Sequence, residues 1–315
     1  MRIVVLTDQS YLEAALVTIH SLLTFAPENC QISLLYLNGA EKEDQICHEI
    51  IERFRNASFA SCDREFNAIG FSSSYFSGFE RFHLNRVTFQ KLLIPHIFPE
   101  DKVCVCVDAG MIFGKHLGAF LGRLDQYRGS IIRAFSTPSH ASLQQNQLDI
   151  PRHELYPAGG ILVLDNELYL KERFFERSVV CFDQLKSRIV YGEQDLICFT
   201  ARGGELGALT DIHLREHVDL ASPDIWTQAE RINKLYKSRD FFYLKHVGLF
   251  KPWLKWVLNP AKSIYLSYIS SMPSDVYNVM EAKFLKEKHN AMPEQHKLFA
   301  QQELQRYEAY LSSVR

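Results

Sequence analysis

No stretch of this 315-residue chain approaches the roughly 18 uninterrupted apolar residues that a membrane-spanning helix needs. The N-terminus has no apolar run of the secretory kind either. MRIVVLTDQS meets an aspartate at position 8, which is too early, so a cytoplasmic location is the expectation. The seven cysteines include no Cys-x-x-Cys pair and no metal-like spacing, and their odd number fits a reducing compartment better than a disulfide framework. A charge excess is missing as well: the formal net charge of -2 gives no support for nucleic acid as a partner. Internal repeats and low-complexity segments are absent. What is present is an ordinary globular composition, 47% hydrophobic and 23% charged, enough for a sizeable core.

Strands and helices alternate through the first half. RIVVLT (2–7) reads as a buried strand, followed by a helix on which Leu12, Ala15, Leu16, Ile19, Leu22 and Leu23 recur at helical spacing. QISLLYLN (31–38) is a second strand, and 41–54 a second amphipathic helix with Ile46, Ile50, Ile51 and Phe54 on one stripe. Residues 63–85 are aromatic and serine-rich without period and read as a loop, and RVTFQKLLIPHIF (86–98) reads as a helix that Pro95 ends or bends. VCVCV (103–107) is a central strand on which Cys104 and Cys106 share a face and pack there. Strands follow at 130–136, 159–165 and 241–248, with a polar loop at 137–155 and a mainly helical region at about 166–202. This order implies crossover units and a mostly parallel sheet. A further absence then matters. The turn after the first strand, TDQSY, lacks the glycines that let a pyrophosphate approach the backbone, and it carries a carboxylate, which argues against an NAD enzyme.

Four stretches carry polar residues where chemistry is done. Asp8 ends the first strand and suits a base or ribose, or simply caps the next helix. Asp108 ends VCVCVDAG, as a site carboxylate or a turn former before glycine. Glu193, Gln194 and Asp195 open a helix, where acids complement the dipole whatever else they do. In KHVGLFKPW (245–253), His246 ends a strand, Gly248 frees the backbone and Lys251 follows. Histidine and lysine so spaced can offer a metal ligand and a cation to one diphosphate, although a lone histidine is more often structural.

Taken together these stretches resemble glycosyltransferase family 8, retaining transferases of GT-A fold that include bacterial lipopolysaccharide galactosyl- and glucosyltransferases. The likeness covers about residues 1–275, and its most specific element is HVGLFKPW, similar to the family's His-x-Gly-x-x-Lys-Pro-Trp. IVVLTDQSYLEAALVTIHSLL, TFQKLLIPHIFPEDKVCVCVDAGMIF, YPAGGILVLD, GEQDL and NPAKSIYLSYISSMP are similar to the family's successive segments. The resemblance implies an α/β GT-A domain, mixed but mostly parallel and flanked by helices, over 1–250, with an aromatic and basic, then helical, extension over 251–315. It implies transfer of a hexose from a UDP-sugar to a saccharide or glycolipid acceptor, as in lipopolysaccharide or capsule synthesis. Asp8, Lys91, Asp108, His246, Gly248 and Lys251 would bind the donor, Asp108 and His246 any Mn²⁺. Gln194 would sit near the anomeric carbon, with Glu193 and Asp195 orienting sugar hydroxyls.

Departures from the family pattern fall in the donor pocket. Gly110 stands where the family has its second metal-binding aspartate, Lys91 where it has arginine, Ala158 where it has asparagine, and Glu193 where it has aspartate. Metal use is therefore uncertain, and two other readings stay open: a metal-independent transferase, and a sugar-nucleotide-binding scaffold without turnover. Residues 241–274 contain no acid, while Lys245, Lys251, Lys255 and Lys262 are interleaved with Trp253, Trp256, Tyr265 and Tyr268. Such a stretch suits peripheral contact with anionic lipid at the inner face of a membrane, or core packing of the rings.

Overall fold

The computed structural model describes residues 1–38, 41–59, 64–72, 86–136, 145, 147–151, 153–185, 188–210, 215–219, 229–247, 251–252 and 260–280, with 301, 305, 308 and 312. Ten strands are described: β1 (Arg2–Asp8), β2 (Gln31–Asn38), β3 (Phe66–Ser72), β4 (Val103–Asp108), β5 (Met111–Phe113), β6 (Ile132–Ser136), β7 (Pro157–Asp165), β8 (Leu206–Ala208), β9 (Arg215–Asp219) and β10 (Tyr243–Val247). Seven of them form one sheet in the order β3-β2-β1-β4-β7-β6-β8, in which only β7 runs against its neighbours. The other three form a small sheet, β5-β10-β9.

The central strands are apolar throughout because both faces are covered, as parallel sheets require. Alternate side chains divide between two cores. Ile3, Val5, Val103, Val105 and Val107 join the core containing the helices Leu12–Phe25 and Glu41–Phe59. Val4, Leu6, Cys104 and Cys106 join the other, under the helices Phe174–Leu185 and Glu193–Thr200. The paired cysteines pack as their alternation implies. Among the described residues no helix is long and apolar enough to cross a membrane.

Several elements differ from expectation. Residues 66–72 are strand β3 rather than loop, paired in register with β2 from Ile32↔Phe66 to Asn38↔Ser72; of the rest of that expected loop, 64–65 are irregular and 63 and 73–85 lie outside the described residues. The segment 86–98 is not one α-helix. Arg86–Leu93 is 3-10, and a single α turn, Ile94–Ile97, follows with Pro95 in its first turn, where the missing N–H costs nothing. Val87, Thr88 and Phe89, all weak helix formers, follow Arg86 in the first half of the 3-10 run. The strands β5 and β8, three residues each, and β9, the mostly charged REHVD, were not legible.

Beyond residue 250, the helix Pro260–Ser270 packs against Leu12–Phe25 and Ala229–Ser238. Tyr265, Tyr268, Ile269, Met272 and Val276 are buried in the same core as β1 and β4. Of the two alternatives for this stretch, core packing holds for two of the rings: Tyr265 and Tyr268 are interior, their hydroxyls bonded to Glu13 Oε1 at 3.3 Å and to the Phe113 carbonyl at 3.5 Å. Trp253, Lys255 and Trp256 lie outside the described residues, as does the Lys262 side chain.

Candidate functional site

Asp108 ends β4 beside β1, and its neighbours are set by strand register. The turn through Ala109 and Gly110 carries the chain from the large sheet into β5, and β10 pairs antiparallel with β5 so that Lys245 faces Met111. That places Lys245 and His246 within reach of the turn. Gly110 adopts φ +83°, the left-handed region that a side chain resists. Its N–H donates to Thr18 Oγ1 at 2.9 Å, and its carbonyl accepts from His246 Nδ1 at 3.3 Å. The glycine thus shapes the turn as well as omitting a carboxylate.

Around Asp108 lies a four-charge cluster. Lys91 is 1% exposed, and its three N–H donors are spent on Asp108 Oδ1 at 2.9 Å, Glu193 Oε1 at 2.6 Å and the Gly159 carbonyl at 2.7 Å. The second carboxylate oxygen of Asp108 accepts from Lys245 Nζ at 3.0 Å. Burial alone would raise the Asp108 pKa, but the two ammonium charges outweigh it and hold the carboxyl well below the usual range. Burial likewise acts against the Lys91 charge, and Asp108 with Glu193 more than offsets it, keeping that ammonium above its ordinary value. Gly159 and Gly160 make room for this cluster. A Cβ at Gly159 would fall 2.6 Å from Glu193 Oε1 and 3.2 Å from Lys91 Nζ, and one at Gly160 would fall 2.4 Å from Lys245 Nζ.

His246 is buried with its ring edge-on to Tyr265 at 6.2 Å. Its Nδ1–H donates to Gly110, which leaves Nε2 as an acceptor without a hydrogen-bond partner among the described residues. Burial, opposed by that hydrogen bond and assisted by the Lys251 charge, lowers the His246 pKa to about 4, so the ring is neutral at pH 7. Lys251 Nζ donates to the His246 carbonyl at 2.8 Å. The pair expected from KHVGLFKPW is therefore together in space, while Gly248 lies outside the described residues.

The other expected residues take different parts. Asp8 caps the 3-10 turn Gln9–Tyr11, its Oδ1 accepting from Tyr11 N at 3.0 Å, at the same sheet edge as Asp108. Gln194 is half-buried in the first turn of Glu193–Thr200, entered through Gly192 at φ +58°. Asp195 is fully buried. One oxygen accepts from Tyr156 OH at 2.5 Å and the other from the N–H groups of Val190 and Tyr191 at 2.6 and 2.7 Å. Two residues were passed over in the sequence. Lys245 was counted with the membrane-facing lysines, yet its ammonium turns inward to Asp108. Gln90, next to Lys91, is fully buried with neither amide atom bonded among the described residues, and nothing in its sequence context signals this.

A divalent cation held by Asp108 and His246 does not fit this arrangement. Both Asp108 oxygens carry ammonium groups, and Asp108 and Glu193 are balanced by Lys91 and Lys245, so no net negative charge remains. A dication about 4 Å from one ammonium meets a repulsion on the order of 8 kcal/mol at an effective dielectric of about 20. Among the described residues no group of three or more His, Cys, Asp or Glu is placed to hold a metal. Among the described residues the Nε2 lone pair of His246 is the one feature of this cluster that suits a metal, and a single imidazole does not offset two ammonium groups.

The fold is of GT-A type, with polar side chains gathered at the C-terminal ends of parallel strands. No family model matches the chain, and no curated protein matches its sequence. Among solved structures it is similar to the galactosyltransferase LgtC in complex with donor and acceptor sugar analogues, at 15% identity over 94% of this chain and 99% of that one, with a TM-score of 0.64. An active-site mutant of LgtC, glutamine to glutamate, matches at 14% identity over 94% and 99%, TM-score 0.65. The glycosyltransferase GlyE of Streptococcus pneumoniae matches at 14% identity over 92% of this chain and 65% of its own, TM-score 0.56. At these identities the shared property is the fold.

Proposed function

We propose that the chain is a glycosyltransferase that moves a hexose from a nucleoside diphosphate donor, UDP by the family resemblance, to a saccharide acceptor with retention of configuration. The observation that carries the reading is the juxtaposition of Asp108, Lys245, His246 and Lys251 at the strand ends, on a fold shared with an enzyme solved with donor and acceptor sugar analogues. Asp8 would hold the nucleoside, Lys251 the diphosphate, and Gln194 would lie by the anomeric carbon, as the active-site glutamine altered in LgtC suggests. Glu193 fixes Lys91 and Asp195 braces the 190–191 loop against Tyr156, so both would position the sugar pocket.

The carboxylates also bear on stereochemistry. A double displacement needs an available nucleophile, but Glu193 is 3% exposed and tied to Lys91, while Asp195 is fully buried and bonded at both oxygens. Retention would then proceed with the acceptor hydroxyl attacking from the face the diphosphate leaves. The C1–O electrons pass to the diphosphate oxygen, which accepts the hydroxyl proton, and positive side chains stabilise that departing charge. The acceptor class we favour is a bacterial surface glycan such as lipopolysaccharide or capsule, on the resemblance alone.

The test is UDP release from a panel of UDP-hexoses, with and without oligosaccharide acceptors. Slow donor hydrolysis that an acceptor accelerates supports the proposal. Binding of UDP-hexose without any turnover would favour the scaffold reading, for which the tied carboxylates also speak. Absence of nucleotide binding would contradict both.

A further inference from the structure

Lys91 and Lys245 both neutralise Asp108, but only one of them has capacity to spare. Lys91 is enclosed, with all three donors committed. Lys245 is 26% exposed in its side chain and makes a single hydrogen bond among the described residues, to an Asp108 carboxylate itself 29% exposed. Its stem lies across Gly160, where a Cβ would come 3.1 Å from Cδ and 3.2 Å from Cε. A lysine on this bare strand position can rotate at its end without disturbing β7. Lys251 holds the carbonyl of the next residue in β10, so a second ammonium stands nearby.

We propose that Lys245 takes the place of the divalent cation: its ammonium turns from Asp108 to the donor diphosphate, which therefore binds without metal. The inference rests on the nucleotide-sugar reading above. Its electrostatics follow from the cluster's composition. Asp108 and Glu193 against Lys91 and Lys245 give no net charge, so an incoming diphosphate meets no uncompensated carboxylate, and Lys251 adds one cation. When Lys245 turns to the ligand, Asp108 keeps Lys91 at 2.9 Å and is not left as a bare buried anion. Gly110 belongs to the same solution, since a second carboxylate there would draw Lys245 away from the phosphates.

Titration calorimetry with UDP, GDP and ADP, each beside its nucleoside, in EDTA and in Mn²⁺, tests this in the full chain. The expected result is that the preferred diphosphate binds in EDTA within about twofold of its affinity in Mn²⁺. Lys245→Met, which retains the stem over Gly160, should weaken the diphosphate by about 10- to 100-fold, leave the nucleoside unchanged, and make diphosphate binding respond to Mn²⁺. Lys245→Arg should retain most of the affinity, and thermal melts confirm that each variant is folded. Binding seen only with Mn²⁺, or equal affinities for wild type and Lys245→Met, overturns the inference while leaving the transferase reading standing. No diphosphate binding in either buffer removes that reading and the inference with it. Wild-type binding that strengthens more than about tenfold in Mn²⁺ overturns the inference even if Lys245→Met does not fold.

Discussion

The strands β1 and β4 carry charge at both ends, and the two ends are built differently. At the N-terminal edge Arg2 donates to Asp101 Oδ2 at 2.6 Å, Ser33 Oγ at 2.8 Å and Gln31 Oε1 at 2.6 Å, and stacks 4.3 Å above the Phe98 ring. Every nitrogen of the guanidinium is engaged by its own fold. At the C-terminal edge Lys91 is equally saturated, but Lys245 makes one described hydrogen bond and shares a partly open carboxylate. A saturated cation holds strands together. A cation with unused donors beside a partly exposed carboxylate can also meet a ligand.

The largest expected effect separates Lys91 from its neighbour. Lys91→Met leaves Asp108 and Glu193 without their shared cation in a buried site, and should cost about 3–5 kcal/mol of stability in urea unfolding. A loss no larger than that of Lys245→Met would erase the distinction. Next is Lys251→Ala, which should lower donor turnover by about 30- to 1,000-fold, a barrier increase of about 2–4 kcal/mol, in a preparation that melts like wild type. Unchanged turnover removes Lys251 from the diphosphate site.

Acid sharpens the comparison further. The folded-state pKa of His246 is lowered to about 4 from an ordinary 6.5, so between those values the unfolded chain binds the extra proton. Stability should therefore fall by on the order of 2–3 kcal/mol as pH drops from 6.5 to 4, and His246→Asn should flatten that slope. Asp108, whose pKa is depressed, contributes stability above the unfolded value of about 4 and loses it at still lower pH. The smallest effect belongs to the other edge. Arg2→Met should cost about 1–2 kcal/mol in urea unfolding and leave UDP affinity unchanged, which calorimetry checks.

How much of this was legible follows from where each signal is written. Asp8, Asp108 and the pair His246 and Lys251 stand out because each polar residue ends an apolar strand or follows it within one turn. The two cores were legible in the unbroken apolar runs of β1 and β4. Lys245 was not, because a lysine in a stretch with four lysines and no acid reads as surface, and only the β10 to β5 register turns it inward. β5 escaped notice because three residues show no period, β9 because REHVD has a single apolar residue, and β3 because its FNAIGFS sequence mixes small and polar residues into a strand. Tyr265 and Tyr268 stayed undecided between membrane and core for a related reason: their helix docks on the first helix, a contact more than two hundred residues apart in sequence.

The most direct test is a crystal structure of the chain with UDP in EDTA. The account predicts the diphosphate at the C-terminal edge, within hydrogen-bonding distance of Lys245 and Lys251, and the base on the Asp8 side of Asp108. UDP bound instead in the cavity of about 600 Å³ at the N-terminal edge, lined by Met1, Asp101, Lys102 and Asp125, would contradict it.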